Sequence, residues 1–369
     1  MRIAIDARMM GAESTRGIGR YIEELIRAML QVEPENEYVL IVRKSEQWTV
    51  NSGQNVQHIV ADIPWYGIEE QIKMPAILRS ARADIVHIPH WNVPLAYQGP
   101  LVVTIHDLLL RHEPASVKVS TRNVVMRSLK RLGYRLTLDH AIYVARKILV
   151  PTKFVADDVQ RLYPRAALKL VVTGEGMGGG VQSQKSKVQS QLIDQRLSTF
   201  DFRLSTSFLL YVGSAYPHKG LADLFAAWEK IAVTHPDLSL VIAGEMDVFM
   251  ERMKVLAAQK KLSRVVFLGR VNDDELANLY ARATAFVYPS HFEGFGLPPL
   301  EALAAGCPVI SSDAVALREV LGADGATFFR QGDANDILRA VTETLKDPER
   351  ERVRARSAAS VLAERHTWR

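Results

Sequence analysis

A chain of 369 residues is longer than one ordinary hydrophobic core supports and predicts about two domains. With 48% hydrophobic and 24% charged residues, the composition excludes a disordered or fibrous chain. The net charge of +5 is modest, and the single cysteine, Cys307, excludes an intrachain disulfide and fits a reducing, cytoplasmic compartment.

The N-terminal run MRIAIDARMM is interrupted by Asp6 and Arg8 and does not read as a signal peptide. No apolar run reaches the roughly 18 residues that a membrane-spanning helix needs. Arg2–Asp6 reads as a first strand, followed by a glycine-containing turn and a helix from about Gly19 to Gln31. Tyr38–Val42, Ile85–Ile88, Leu101–Ile105 and Ile148–Val150 read as further strands of one sheet. Their apolar runs are continuous, as parallel strands covered by helices on both faces require. From Gly174 to about Ser207 the chain is glycine-rich and then polar, which predicts an inter-domain connection with room for a short helix.

The same grammar then restarts. Phe208–Val212, Leu238–Ala243, Val265–Leu268, Ala285–Tyr288 and Val309–Ser311 read as strands. Leu221–Val233, Asp273–Ala283 and Pro298–Ala305 read as helices. The expectation is an α/β protein of two Rossmann-like, doubly wound parallel-sheet domains: residues 1–175, a linker over 176–206, and residues 207–369. A site is expected between them, outside the carboxyl ends of the strands.

The densest chemical signal is His291-Phe-Glu-Gly-Phe-Gly-Leu-Pro-Pro-Leu-Glu301, between a strand and a helix. Gly294 and Gly296 let the backbone approach a ligand, and Pro298 and Pro299 suit a helix start. The amides near Gly296 and Leu297 would then favour an anion such as a diphosphate. Two acids, Glu293 before the helix and Glu301 in its first turn, fit beside an anion if they bind uncharged hydroxyls. A nucleotide sugar offers these at both ends, each charge-assisted bond contributing on the order of 1.5–3 kcal/mol. The competing reading is a capped surface helix.

The run EGFGLPPLEALAAGCPVISSD resembles the E-x7-E signature of family-four (group 1) retaining glycosyltransferases of the GT-B fold. YVGSAYPHKG, VIAG, VFLGRVNDDELANLYARATAFVYPS and VVTIHDL occur in the order expected of that family, so the resemblance covers nearly the whole chain. It implies that Glu293 binds donor-sugar hydroxyls and Glu301 the ribose. Phe295, Gly296 and Leu297 would bring main-chain amides to the sugar and phosphate, Lys219 would neutralise the diphosphate, and Val271 would help hold the base. Catalytic roles fall on His106, Lys219 and Glu293. Family members often carry arginine after the glycine of the Gly213 turn; here the residue is Ser214, with Arg16 and Arg20 as candidate substitutes.

In the first half, Gly17 and Gly19 of Thr15-Arg-Gly-Ile-Gly-Arg20 would let a helix start approach the same diphosphate, with a simple turn as the alternative. The resemblance places His106 against the donor sugar; a satisfied strand-end histidine is the alternative. His87, His90 and Trp91 read as acceptor-cleft lining or as core residues. No Asp-x-Asp or zinc spacing is present, so no metal and no tightly bound cofactor is expected, and leaving-group charge falls to Lys219 and backbone amides. Retention by front-face displacement follows from the resemblance alone.

Residues 111–165 hold twelve Lys and Arg against four Asp and Glu, a local net charge of +8. Within them Val124–Leu136 reads as a basic amphipathic helix, suited to peripheral contact with an anionic membrane or to a solvated face. Nucleic acid is not expected, because no aromatic stacking pattern accompanies the charge. The functional expectation is a hexosyltransferase with GDP-mannose as favoured donor. It would act on a glycan or lipid-linked acceptor in surface polysaccharide or glycoconjugate synthesis, at the inner membrane face. A UDP-glucose or UDP-N-acetylhexosamine donor is the alternative, ahead of a nucleotide-sugar epimerase, a phosphorylase or a non-catalytic sugar-binding scaffold.

Overall fold

The computed structural model describes residues 1–11, 16–44, 55–112, 124–177 and 207–368. Most of the expected linker, with its short helix, falls on 178–206 and lies outside the described residues, as do Thr15, Lys118 and Arg122. The chain forms two compact units, residues 1–176 with Trp368–Arg369, and residues 177–367.

The first unit is built on seven strands: β1 (Arg2–Asp6), β2 (Glu37–Val42), β3 (Val56–Val60), β4 (Ile85–Ile88), β5 (Leu101–Thr104), β6 (Lys147–Val150) and β7 (Leu170–Val172). All pair in parallel in the order β3-β2-β1-β4-β5-β6-β7. Helices α1 (Arg16–Val32), α2 (Ile68–Ser80), α3 (Leu109–His112), α4 (Val124–Val144) and α5 (Lys153–Leu162) connect them. Alternate residues of β1 enter different cores: Ala4 packs with Val86 and Val103, Ile5 with Ile22 and Ile26 of α1. Burial on both faces is what the continuous apolar runs predicted.

The second unit has six parallel strands: β8 (Ser207–Val212), β9 (Leu238–Ala243), β10 (Val265–Gly269), β11 (Ala285–Tyr288), β12 (Val309–Ser312) and β13 (Thr327–Phe329), in the order β10-β9-β8-β11-β12-β13. Its helices are α6 (Leu221–Thr234), α7 (Val248–Gln259), α8 (Asp273–Arg282), α9 (Leu297–Ala304), α10 (Val315–Leu321), α11 (Ala334–Leu345) and α12 (Pro348–Arg365). Asn272 and Glu275 close a reciprocal capping box at the start of α8. This is the doubly wound order in which the connections reverse direction between two neighbouring strands. Those neighbours are β8 and β11 here, and β1 and β4 in the first unit.

Two expectations require correction. Helix α1 begins at Arg16, so Gly17 and Gly19 lie inside its first turn and not in a loop before it. Ile18 belongs to the same apolar stripe as Tyr21, Ile22, Leu25 and Ile26 and packs with them, which extends the helix back across the glycines. Helix α9 begins at Leu297, which makes Glu301 its fifth residue, just beyond the first turn.

Candidate active site

In the second unit the loops after β8 and β11 meet at the reversal point. The β8 loop carries a 3-10 turn, Pro217–Lys219, ended by Gly220 in the left-handed conformation at φ 69°. A side chain at Gly220 would place its Cβ 2.0 Å from the carbonyl oxygen of Pro289, so only glycine permits this crossing. The two loops are stitched by the His291 amide and the Ser290 hydroxyl, both donating to the His218 carbonyl, at 2.7 and 3.2 Å.

That crossing brings Lys219 and Glu293 together. Lys219 Nζ lies 2.7 Å from Glu293 Oε1, and the Tyr288 hydroxyl donates to the same oxygen at 2.7 Å. Glu293 is only 11% exposed and Lys219 20%. Burial pushes the Glu293 carboxyl up, but the Lys219 charge and hydrogen bonds from Lys219, Ser290 and Tyr288 outweigh it and hold the pKa below the usual carboxylate range. The carboxylate also raises Tyr288, whose burial is the larger cause.

Beside this pair, Gly296 caps α9 at φ 100°, where a Cβ would lie 2.5 Å from Leu317 Cδ2. Pro298 and Pro299 contribute no N–H, so the donors at this helix start are the amides of Gly296 and Leu297. Phe295 is buried and meets the His366 ring edge-on at 5.3 Å. Glu301 is buried, with the Tyr280 hydroxyl 3.4 Å from its Oε2. Val271 is buried two residues past β10. Gly213 bonds back to Ala243, and the Ser214 carbonyl accepts the Tyr211 hydroxyl at 2.6 Å.

In the first unit His106 follows β5. Its Nε2 lies 3.1 Å from the Pro89 carbonyl oxygen, its Nδ1 3.2 Å from Glu175 Oε1, and Tyr21 meets the ring edge-on at 4.7 Å. Burial disfavours the charged ring, yet the hydrogen bond and charge of Glu175, helped by the Pro89 carbonyl and Asp107, raise the His106 pKa overall. His87 behaves as a core histidine: it is buried, shares a 2.9 Å hydrogen bond with the Thr104 hydroxyl, and is pushed down to about 4 by burial and the nearby His106 charge. His90 is pushed down to about 3 for the same reasons. It adjoins Trp91, which stacks on Tyr66 at 5.3 Å.

Sequence reasoning missed two groups here. Glu175 stands at the start of the glycine-rich stretch, where nothing in the sequence marks it for a site. Arg8 is buried just beyond β1, gripped by both oxygens of Asp6 at 2.8 and 2.7 Å and by Glu70 Oε1 at 2.6 Å. Glu70 also accepts the Tyr66 amide and the Asn92 side chain. The Asp6-Ala-Arg8 spacing at a strand end was the available signal; Glu70 had none, because only the fold brings α2 to β1.

The basic stretch is partly neutralised: Arg161 pairs with Asp158 and Lys153 with Asp157. On α4, Leu129, Leu132 and Leu136 are exposed along one face, with Lys130 and Arg135 exposed nearby. Among the described residues no helix is long and apolar enough to cross a membrane. Nor does any group of three or more His, Cys, Asp or Glu come together in a metal-holding arrangement among them.

Comparison with known proteins gives this geometry a family. The family described as Glycosyl transferases group 1 matches residues 199–360, and Glycosyltransferase Family 4 matches residues 15–176. The chain belongs to the group 1 glycosyltransferases. This glycosyltransferase is 26% identical over 374 residues to O-antigen chain mannosyltransferase B of Escherichia coli, covering 95% of this chain and 92% of that one. Its fold is similar to sucrose-phosphate synthase of Thermosynechococcus elongatus, with a TM-score of 0.76 at 19% identity, over 100% of this chain and 95% of that one. It is also similar to HepE of Anabaena, solved with UDP and glucose, with a TM-score of 0.71 at 16% identity over 100% and 95% of the chains. The glycosyltransferase therefore has the GT-B fold, as its two doubly wound sheets indicate.

Proposed function

We propose that this glycosyltransferase moves a hexose, mannose foremost, from a nucleotide sugar such as GDP-mannose to a glycan or lipid-linked acceptor in surface polysaccharide or glycoconjugate synthesis. The observation that carries the reading is the 2.7 Å Lys219–Glu293 pair at the β8/β11 reversal, next to the amides of Gly296 and Leu297. It pairs a cation suited to a diphosphate with a carboxylate suited to sugar hydroxyls, each holding the other until a donor enters. Glu301 is assigned to the ribose, Val271 to the base, and the Gly213–Ser214 turn to the phosphate edge. Gly17 and Gly19, inside α1, are assigned to the phosphate more weakly, since the space where a Cβ would stand on Gly17 is open.

The reaction breaks the bond between the anomeric carbon and the diphosphate oxygen and forms one to an acceptor hydroxyl. Lys219 and main-chain amides answer the developing charge without a metal ion, and the departing phosphate takes the acceptor proton as configuration is retained. The name of the Escherichia coli relative supports mannose. The UDP and glucose bound by HepE support the second reading, a UDP-hexose donor. The exposed leucines and basic residues of α4 support peripheral attachment at the inner face of a membrane, with the aromatic group around Trp91 lining the acceptor side.

A panel of GDP-mannose, UDP-glucose and UDP-N-acetylglucosamine, assayed for saturable binding and nucleotide diphosphate release, tests this. GDP-mannose is expected to bind most tightly; tighter binding of a UDP-sugar selects the second reading, and binding of none overturns both.

A further inference from the structure

His106 is surrounded by oxygen acceptors. The carbonyl of Pro89 cannot donate a proton, and it stands 3.1 Å from Nε2. On the other side of the ring, 3.2 Å from Nδ1, stands a carboxylate oxygen of Glu175, which is only 7% exposed and arrives from the segment after β7. A neutral imidazole carries one N–H and one lone pair, and a lone pair facing a carbonyl or carboxylate oxygen is repelled. With Glu175 as a carboxylate, both contacts are hydrogen bonds together only when both nitrogens carry protons. Edge-on packing of Tyr21 at 4.7 Å fixes the ring plane, and the Tyr21 hydroxyl is itself engaged with Thr104.

We propose that Glu175 is a positioning residue that holds His106 as a doubly donating imidazolium, so that the ring presents a fixed positive charge and is unable to accept a proton. The other charged and titratable groups around it fit this state. Asp107 is the adjacent acid, while His87 on β4 and His90 after β4 are driven neutral by burial and by the His106 charge. One cation thus serves a cluster of three histidines, and Glu175 decides which ring carries it.

The consequence rests on the transferase reading. An imidazolium with both N–H groups committed supports an anionic part of the substrate electrostatically and does not act as the base for the acceptor hydroxyl. The hydroxyl proton must therefore leave by another route, and the departing phosphate is the basic group the reaction itself supplies.

Nitrogen-15 NMR of histidine-labelled full-length protein, with the His106 signals assigned by their loss in His106→Gln, reads the proton state without any substrate. At pH 7.5 the wild type is expected to show both His106 nitrogens protonated, and Glu175→Gln, whose amide oxygen still accepts a hydrogen bond, is expected to shift the ring's midpoint down by at least one pH unit. A neutral His106 in the wild type, or an equal midpoint in the two proteins, overturns the proposal; the wild-type titration alone suffices if the variant does not fold. The high-pH limb of the turnover profile should move to lower pH in Glu175→Gln. A charged ring in a protein that turns over no nucleotide sugar would leave the charge assignment standing and remove the transferase reading.

Discussion

Replacing Lys219 by methionine keeps an unbranched side chain only one atom shorter but removes the charge that faces Glu293 at 2.7 Å. The carboxylate is 11% exposed and retains the hydroxyl of Tyr288 as a donor. Stranding one partner of a buried pair destabilises by about 3–5 kcal/mol, and the surviving Tyr288 bond puts this case near the lower end. For a unit of this size, residues 177–367, each kcal/mol moves the melting temperature by about 2–4 °C, so a fall of roughly 6–12 °C is expected in its transition at pH 7.5. Glu293 has a depressed folded pKa, so its contribution is present above the unfolded value and lost as pH falls through the folded value. Without Lys219 that pKa rises, the stranded carboxyl takes up a proton more readily, and the gap between wild type and variant narrows toward pH 5. Calorimetry on the wild type, Lys219→Met, Glu293→Gln and the double variant closes the cycle. The double variant should regain much of the lost stability while failing to bind a nucleotide sugar. A Lys219→Met protein as stable as the wild type, or a double variant no more stable than that single one, would refute the claim that the two groups act as one buried pair.

Other outcomes follow from the same geometry. Glu293→Ala should abolish sugar-dependent turnover while sparing binding of the free nucleoside diphosphate by calorimetric titration; equal loss of both would mean the wrong carboxylate has been assigned to the sugar. Gly296→Ala forces a Cβ to within 2.5 Å of Leu317 at φ 100° and should destabilise by about 2 kcal/mol in urea unfolding. An unchanged urea midpoint would show that α10 yields freely. His87, held near pKa 4 in the fold, binds its proton more readily when unfolded. The stability it contributes, roughly 3 kcal/mol, should therefore drain away as pH falls from about 6.5 toward 4. His87→Gln should flatten that acid slope, and an unaltered slope would assign acid sensitivity to other groups.

Much of this molecule was legible in one dimension. Parallel strands buried on both faces must be continuously apolar, so β1, β2, β8, β9 and β11 stood out within a residue or two of their observed bounds. The edge strands β3 and β7 did not: much of their surface faces solvent, Gln57 and His58 interrupt the apolar run of β3, and the run of β7 is only three residues long. The local layout of the candidate site was equally readable. Glu293, Gly296, the two prolines and Glu301 sit within nine residues because a helix start and its flanking loop are made by consecutive chain.

Pairings over long separations belonged to the tertiary structure. Lys219 and Glu293 are 74 positions apart and meet because β8 and β11 are neighbours at a reversal of strand order, with Gly220 admitting the backbone crossing. Glu175 and His106 are 69 positions apart, and only the return of the chain past β7 puts a carboxylate against that ring. A sequence shows which residues carry charge and where a helix must start. Whether a lysine is free or paired, and whether a histidine is neutral or charged, depends on oxygens and charges within a few ångströms, and those distances are set by how the sheet is wound.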